Sequence, residues 1–389
     1  MWNGNLKENN ASSQNGIGVR VLYDGAWGFS ASSDLSDPDA IFEKAFDNAR
    51  IASQRVTFPI RLAEKEAIVG SFTSPNRIDP FTVGLDEKVA FLQKMDAALN
   101  QPGVVQRFGM LEFVRKQIIF MDSEGSEIEK NIIEVFPSIQ AMGIDKDGGM
   151  QSRKYLPGRT GPTRGWESVN ETDFIANAER IVSELNQVLV ADEAPNGKMS
   201  VILLNGIMFL QTHETIGHAL ELDRILGYEL SFAGGSFVRL EDFGNLRYGS
   251  KKLTARANAL EPNSPGSFGF DDDGVPAQDN LLIDKGILVG AITGRQMVEE
   301  ANAKAKRQIF EGSSGANRAT SFYRVPIERM TNINIDPGTD GSLERSLPTP
   351  SMAWCWTVIR AGRLVPTASS SISPATSAGW LRMVKRNRW

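Results

Sequence analysis

Two histidines occur in the 389 residues of this chain, and both fall in one hexapeptide, His213-Glu214-Thr215-Ile216-Gly217-His218. Two imidazoles with a carboxylate beside them are the parts that hold a divalent metal ion and take a proton from a water the ion activates. In that assignment His213 and His218 are the metal ligands, as neutral rings. Glu214 is the catalytic base that passes the proton to a leaving amine. One divalent ion is expected, with zinc the first choice and iron the second. A catalytic site of this kind needs a third protein ligand. Glu221, three residues past His218, is the local candidate and Asp223 the second. Either could instead accept a hydrogen bond from a ring N–H. The plain alternative is a pair of surface or capped histidines beside a solvated glutamate. A hydrolase without metal has little support, since no further histidine is left to activate a nucleophile.

The element carrying these residues must be irregular. Residues Ile207 to Ile225 read as helical, with Met208, Phe209, Ile216, Ala219, Leu220 and Ile225 as packing positions. The two histidines are five residues apart rather than four. Five steps of an ideal α-helix turn about 500°, which leaves the rings about 140° apart and unable to share one ion. A π-bulge or a helix break would bring them together, and Gly217 lowers the helical preference there. The motif therefore predicts a distorted helix at its own position.

Elsewhere the pattern is mixed. Ile17 to Ser30 reads as a hairpin about Asp24-Gly25, a type I′ turn signal. Asp39 to Gln54 and Asp86 to Gln101 read as amphipathic helices, the second stopped by Pro102-Gly103. Leu111 to Met121 and Ser126 to Ile139 read as paired strands, and Gln151 to Glu167 as a loop rich in Gly, Pro, Arg and Thr. A long helix is expected from Asn170, as N-cap, to about Val190, then a strand over Met199 to Leu204. Leu281 to Ile292 returns to strand with a turn at Asp284 to Gly286. The fold class is α+β: a mixed α/β N-terminal domain over 1–165, then a β-rich C-terminal domain over 166–347 carrying the metal-motif helix.

Composition sets bounds on function. A hydrophobic content of 41% is enough for a sizeable core. A net charge of -5 and a pI of 5.4 argue against a nucleic-acid partner. One cysteine rules out an intrachain disulfide and accords with a reducing compartment. The N-terminus lacks the apolar run of a signal peptide. The most apolar segment, Ser200 to Leu210, is too short to span a bilayer, so no membrane association and a cytoplasmic location are expected.

The residues around the motif go further. His213 through Gly227, Phe232 to Phe237, Gly269 to Gln278, Ala316 to Ala319, Arg329 to Asn332 with Pro337-Gly338, and the opening hairpin Gly18 to Phe29 together resemble the TldD/PmbA family of peptidases. The resemblance covers roughly residues 16 to 345. It implies a metal-dependent peptidase with a His-Glu-x-x-x-His site, acting on unfolded or flexible peptides admitted to a cavity between two subunits. It also implies a homodimer, or a heterodimer with a related subunit. The Asp271 to Asp273 run is read as a structural loop rather than a calcium site, since no EF-hand spacing follows.

One region departs from the family pattern. The family's third ligand is a cysteine in a later segment. Here residues 348–389 lose both sheet alternation and helical periodicity. The expectation is an aberrant tail from a shifted reading frame beginning near residue 348, with the N-terminus also starting inside the family's first region. An unbroken family-like frame for the tail in the gene sequence would overturn that. Cys355 is the one thiol available as a third ligand, but a free thiol is the favoured reading. The alternative function is then a catalytically impaired subunit that binds peptides or a partner.

Overall fold

The computed structural model describes residues 1–157, 164–192, 201–230, 234–341 and 354–356. Three layers of structure build up to the motif, and each begins from a local signal.

The opening hairpin pairs β1 (Ile17–Tyr23) with β2 (Ala26–Ser32). Asp24 and Gly25 both take positive φ, 45° and 75°, as a type I′ turn requires. Helix α1 (Pro38–Ser53) lies on this hairpin and buries Ile41, Ala45 and Ala49. Its first turn is capped by the Asp37 side chain, which accepts from the Ala40 N–H.

A second layer is a twisted sheet built on two long antiparallel strands, β4 (Gln106–Met121) and β5 (Glu127–Ile144). Strand β3 (Val69–Thr73) adds parallel to β5, and β6 (Met150–Tyr155) adds antiparallel at its far end. Helix α2 (Leu85–Leu99) packs here through Met95 and Leu99. After the short helix α3 (Glu167–Glu171), helix α4 (Phe174–Leu189) joins it through Phe174, Ala178, Ile181, Val182 and Leu185, against Ile139 and Ala141 of β5.

Two expectations are corrected in this layer. Residues 151–155 are strand rather than loop, because β5 supplies a ladder partner that overrides the local composition. The long helix is capped by Asp173, whose side chain accepts from the Ala176 N–H, and Asn170 belongs to the short helix before it. Arg159 to Pro162, within the expected loop, lie outside the described residues.

The third layer holds the motif. β7 (Val201–Leu203) leads into α5 (Asn205–Thr212), a turn of π-helix over His213–Gly217, a 3-10 turn over His218–Leu220 and α6 (Leu222–Leu226). An antiparallel sheet follows in the order β10 (Ile287–Leu288), β9 (Asp279–Asp284), β8 (Ala255–Asn258), β13 (Asn332–Ile335). Helix α7 (Arg295–Ala305) and the small pair β11 (Asn317–Arg318) and β12 (Ile327–Glu328) complete it. Its core gathers Leu220, Leu222, Leu282, Ile283, Leu288, Ile292 and Val298. The chain just after the histidines is thus core. Leu220 and Leu222 are fully buried, each contributing about 1.5–3 kcal/mol of apolar burial.

Mixed helices and sheets make the protein α+β, as expected. No helix among the described residues is long and apolar enough to cross a membrane. Trp354–Trp356 forms β14, parallel to β7, with Cys355 in register with Ile202. The rest of the tail after residue 341 lies outside the described residues.

Candidate metal centre

The helix that begins at Asn205 loses its α register where the first histidine occurs. The His218 N–H bonds to the His213 carbonyl, five residues back, which is the π pattern. That turn absorbs the angular misfit of the five-residue spacing. The two rings stand with centroids 4.6 Å apart and planes at 86°. One donor atom from each of His213, Glu214 and His218 lies within 4.8 Å of the others. Glu214 Oε1 is 3.9 Å from His213 Nε2. Glu214 is exposed and His218 is half-buried, so the group opens to one side.

Local packing accounts for the irregularity. A Cβ on Gly217 would lie 2.5 Å from Met330 Sδ, so with glycine here the Met330 side chain of the β12–β13 connection packs directly on the turn. Beyond the turn, Glu221 is extended rather than helical, with ψ at 121°. The Leu222 N–H donates to the Ile292 carbonyl at 2.9 Å, and the Ile292 N–H to that of Leu220 at 2.8 Å. The helix is broken by being recruited into the neighbouring backbone.

Glu221 sets the orientation of His218. Its Oε2 lies 2.9 Å from His218 Nδ1, and Arg224 Nε is 2.6 Å from the same oxygen. Its Oε1 accepts the Met330 N–H at 3.0 Å. An acceptor at Nδ1 places the ring proton there and leaves the Nε2 lone pair for a ligand. Burial, and then the neighbouring His218, lower the pKa of His213, which favours the neutral ring.

Glu221 is therefore placed as a hydrogen-bond acceptor of the His218 ring, the second of its two expected roles. Asp223 does not join the group. Its Oδ1 accepts the Arg224 N–H at 2.7 Å, Arg329 stands 3.8 Å from Oδ2, and burial pushes its carboxyl up to about 7. The side chain of Cys355 lies outside the described part of the structure.

The donor set suits a divalent ion of the zinc type: two imidazole nitrogens and a carboxylate whose donor atoms lie within 4.8 Å of one another. Among the described residues no third protein ligand converges with them.

Sequence reasoning did not single out Tyr248, and it covered Ser236 only as part of the stretch Phe232 to Phe237, with no role. The Tyr248 hydroxyl donates to the Thr215 carbonyl and the Ser236 hydroxyl to the Ala219 carbonyl. Neither residue type nor spacing marks them, since they approach from a loop with no pattern of its own. Arg329 and Met330 lie in the stretch Arg329 to Asn332 that carries part of the resemblance. Arg329 stands 3.1 Å from Glu229 and 3.8 Å from Glu221, behind the site.

The Asp271–Asp273 turn is fully engaged within the protein. Asp271 accepts N–H groups from Asp273, Val275 and Asn317. Asp272 pairs with Lys130, and Asp273 with Arg20. These donors take the oxygens that a calcium ion would need, in line with the structural reading of this loop.

Comparison with known proteins places most of the chain. Family models described as PmbA/TldA metallopeptidase domain 1, central domain and C-terminal domain match residues 1–51, 78–194 and 196–351. The chain belongs to the PmbA/TldD family. A metalloprotease of Methanocaldococcus jannaschii is 28% identical over 346 residues, covering 88% of this chain and 71% of that protein. A zinc metalloprotease TldD homolog of Saccharolobus solfataricus is 24% identical, covering 84% of this chain and 67% of that protein. The crystal structure of TldE from Thermococcus kodakarensis superposes with a TM-score of 0.61 at 15% identity, over 88% of this chain and 72% of that one, which shows a shared fold. In this PmbA/TldD chain, the match to the C-terminal domain spans the π turn together with Glu221, Tyr248 and Met330 around it.

Proposed function

We propose that this PmbA/TldD protein is a metal-dependent peptidase whose centre is the π turn. The observation that carries the reading is the convergence of His213, Glu214 and His218 on one open point, achieved by a backbone irregularity that the spacing demands. His213 and His218 would hold the ion, zinc before iron, as in the name of the Saccharolobus solfataricus relative. When bound, such an ion lowers the pKa of a coordinated water and polarises a peptide carbonyl. Glu214, exposed beside His213, takes the proton of the attacking water and delivers it to the leaving amine. Glu221 keeps the His218 proton on Nδ1. The substrate is an unfolded or flexible peptide lying extended along a strand edge. The active form is a homodimer, or a heterodimer with a related subunit, in the cytoplasm.

A second reading is a peptide-binding subunit with impaired catalysis. Its support is that two histidines and one glutamate converge among the described residues without a third protein ligand. Elemental analysis of purified protein separates the two readings. About one zinc or iron per chain, lost in the His213→Ala/His218→Ala variant, together with cleavage of unfolded peptides, supports the peptidase. Folded protein without metal would leave the binding-subunit reading.

A further inference from the structure

A helical turn that carries an extra residue persists only where its surroundings over-determine it. Packing of Met330 against Gly217 explains why the turn is tolerated, but not what holds its backbone in place. Two side chains from outside the helix do that. The Tyr248 hydroxyl donates to the Thr215 carbonyl, one residue beyond the base Glu214. The Ser236 hydroxyl donates to the Ala219 carbonyl at 2.6 Å, one residue beyond His218. Tyr248 is fixed by the sheet, and Ser236 by its own loop and by the helix that follows the turn. The Tyr248 N–H donates to the Gly286 carbonyl at 2.8 Å, so it is pinned to the turn between β9 and β10, and its ring lies 5.6 Å from that of Phe237. The Ser236 hydroxyl accepts the Val238 N–H at 3.0 Å, and its own N–H donates to the Arg224 carbonyl at 3.2 Å.

We propose that Tyr248 and Ser236 are positioning residues that clamp the π turn, so that the sheet and the preceding loop, rather than the helix, set the approach of His213 to His218. The inference rests on the metal-centre reading for its purpose, and on the two carbonyl contacts for its mechanism. Neither residue touches the ligand atoms. Their effect reaches the metal only through backbone geometry.

The test compares Tyr248→Phe and Ser236→Ala with the parent, in the full chain. Tyr248→Phe keeps the ring and deletes the donor. Hydrogen exchange is first measured on the metal-free proteins. Amides over residues 213–221 are expected to exchange about five- to tenfold faster in each variant, the scale of one lost hydrogen bond, with Phe174–Leu189 unchanged. Exchange within about twofold of the parent in both variants would overturn the clamp. If Tyr248→Phe does not accumulate as folded protein, Ser236→Ala carries the same measurement. Zinc affinity is then read by competition with a chromophoric chelator, and the visible spectrum of the cobalt-substituted protein alongside it. Affinity about tenfold weaker, with altered cobalt bands, supports a positioning role. Faster exchange with unchanged affinity and bands overturns it. A parent that binds no zinc refutes the metal reading, while the exchange result still decides whether the clamp exists.

Discussion

Arg295 holds Glu124 across 171 positions of chain: Nη1 and Nη2 reach its two carboxylate oxygens at 2.6 and 2.7 Å, while Nε donates to the Ala63 carbonyl at 2.7 Å. Arg295 opens α7 beside the motif's core, and Glu124 sits at the turn between β4 and β5. A lysine has no planar fork and cannot make three such contacts at once. Arg295→Lys should lower stability by about 1–3 kcal/mol, read as a fall in the urea midpoint with little change in slope. An unchanged midpoint would show the contact to be energetically idle.

Glu214→Gln keeps the shape of the side chain and removes its basicity. Peptide cleavage should fall by about 10²–10⁴-fold, with metal content retained. Retained activity would move the base elsewhere.

Glu221→Gln should act on the metal rather than on the chemistry. An amide opposite His218 Nδ1 no longer anchors the ring proton with a carboxylate, and it removes the carboxylate oxygen 2.6 Å from Arg224 Nε. Metal affinity is expected to drop about 10–100-fold. Equilibrium dialysis against zinc measures it, and equal affinity in both proteins would sink the assignment.

At Gly217 the prediction is steric. Alanine there would meet Met330 Sδ at 2.5 Å, in a buried position. Gly217→Ala should cost about 1–3 kcal/mol in thermal unfolding. Adding Met330→Ala should recover part of the loss that Gly217→Ala causes. A double variant no better than the sum of the two single ones would refute the steric account.

Asp271 supplies a pH dependence. Burial, and then the charge of Asp273, push its carboxyl up to about 7, against the pull of three backbone N–H donors. A raised carboxyl pKa means the folded state binds the proton more tightly than the unfolded one. The stabilisation is fully present below the unfolded value of about 4 and is lost as pH rises through about 7. Stability measured between those limits should decline with a slope that Asp271→Asn flattens. A slope unchanged by the substitution would remove Asp271 as its source.

Much of the fold was legible where the signal is local. Asp24-Gly25 announces its turn because few other residue pairs accept two positive φ angles. The stripe of Ala178, Ile181, Val182 and Leu185 announces helix α4. At the site, arithmetic on the five-residue spacing called for a break in the helix, and the π turn is that break. What escaped was set by partners distant in sequence. Residues 151–155 become strand only because β5 is beside them. Tyr248 reaches Thr215 from 33 residues away, and nothing in its own neighbourhood marks it.

The acidic turn at Asp271–Asp273 joins all three layers through Arg20 of the first hairpin, Lys130 of the central sheet and Asn317 of the motif's layer. These contacts couple the stability of the layers to one another. Loosening the hairpin strips Asp273 of its cation, and loosening the sheet does the same to Asp272, so each event leaves a desolvated charge that weakens what remains. Opening of any one layer is therefore coupled to the other two through this one turn.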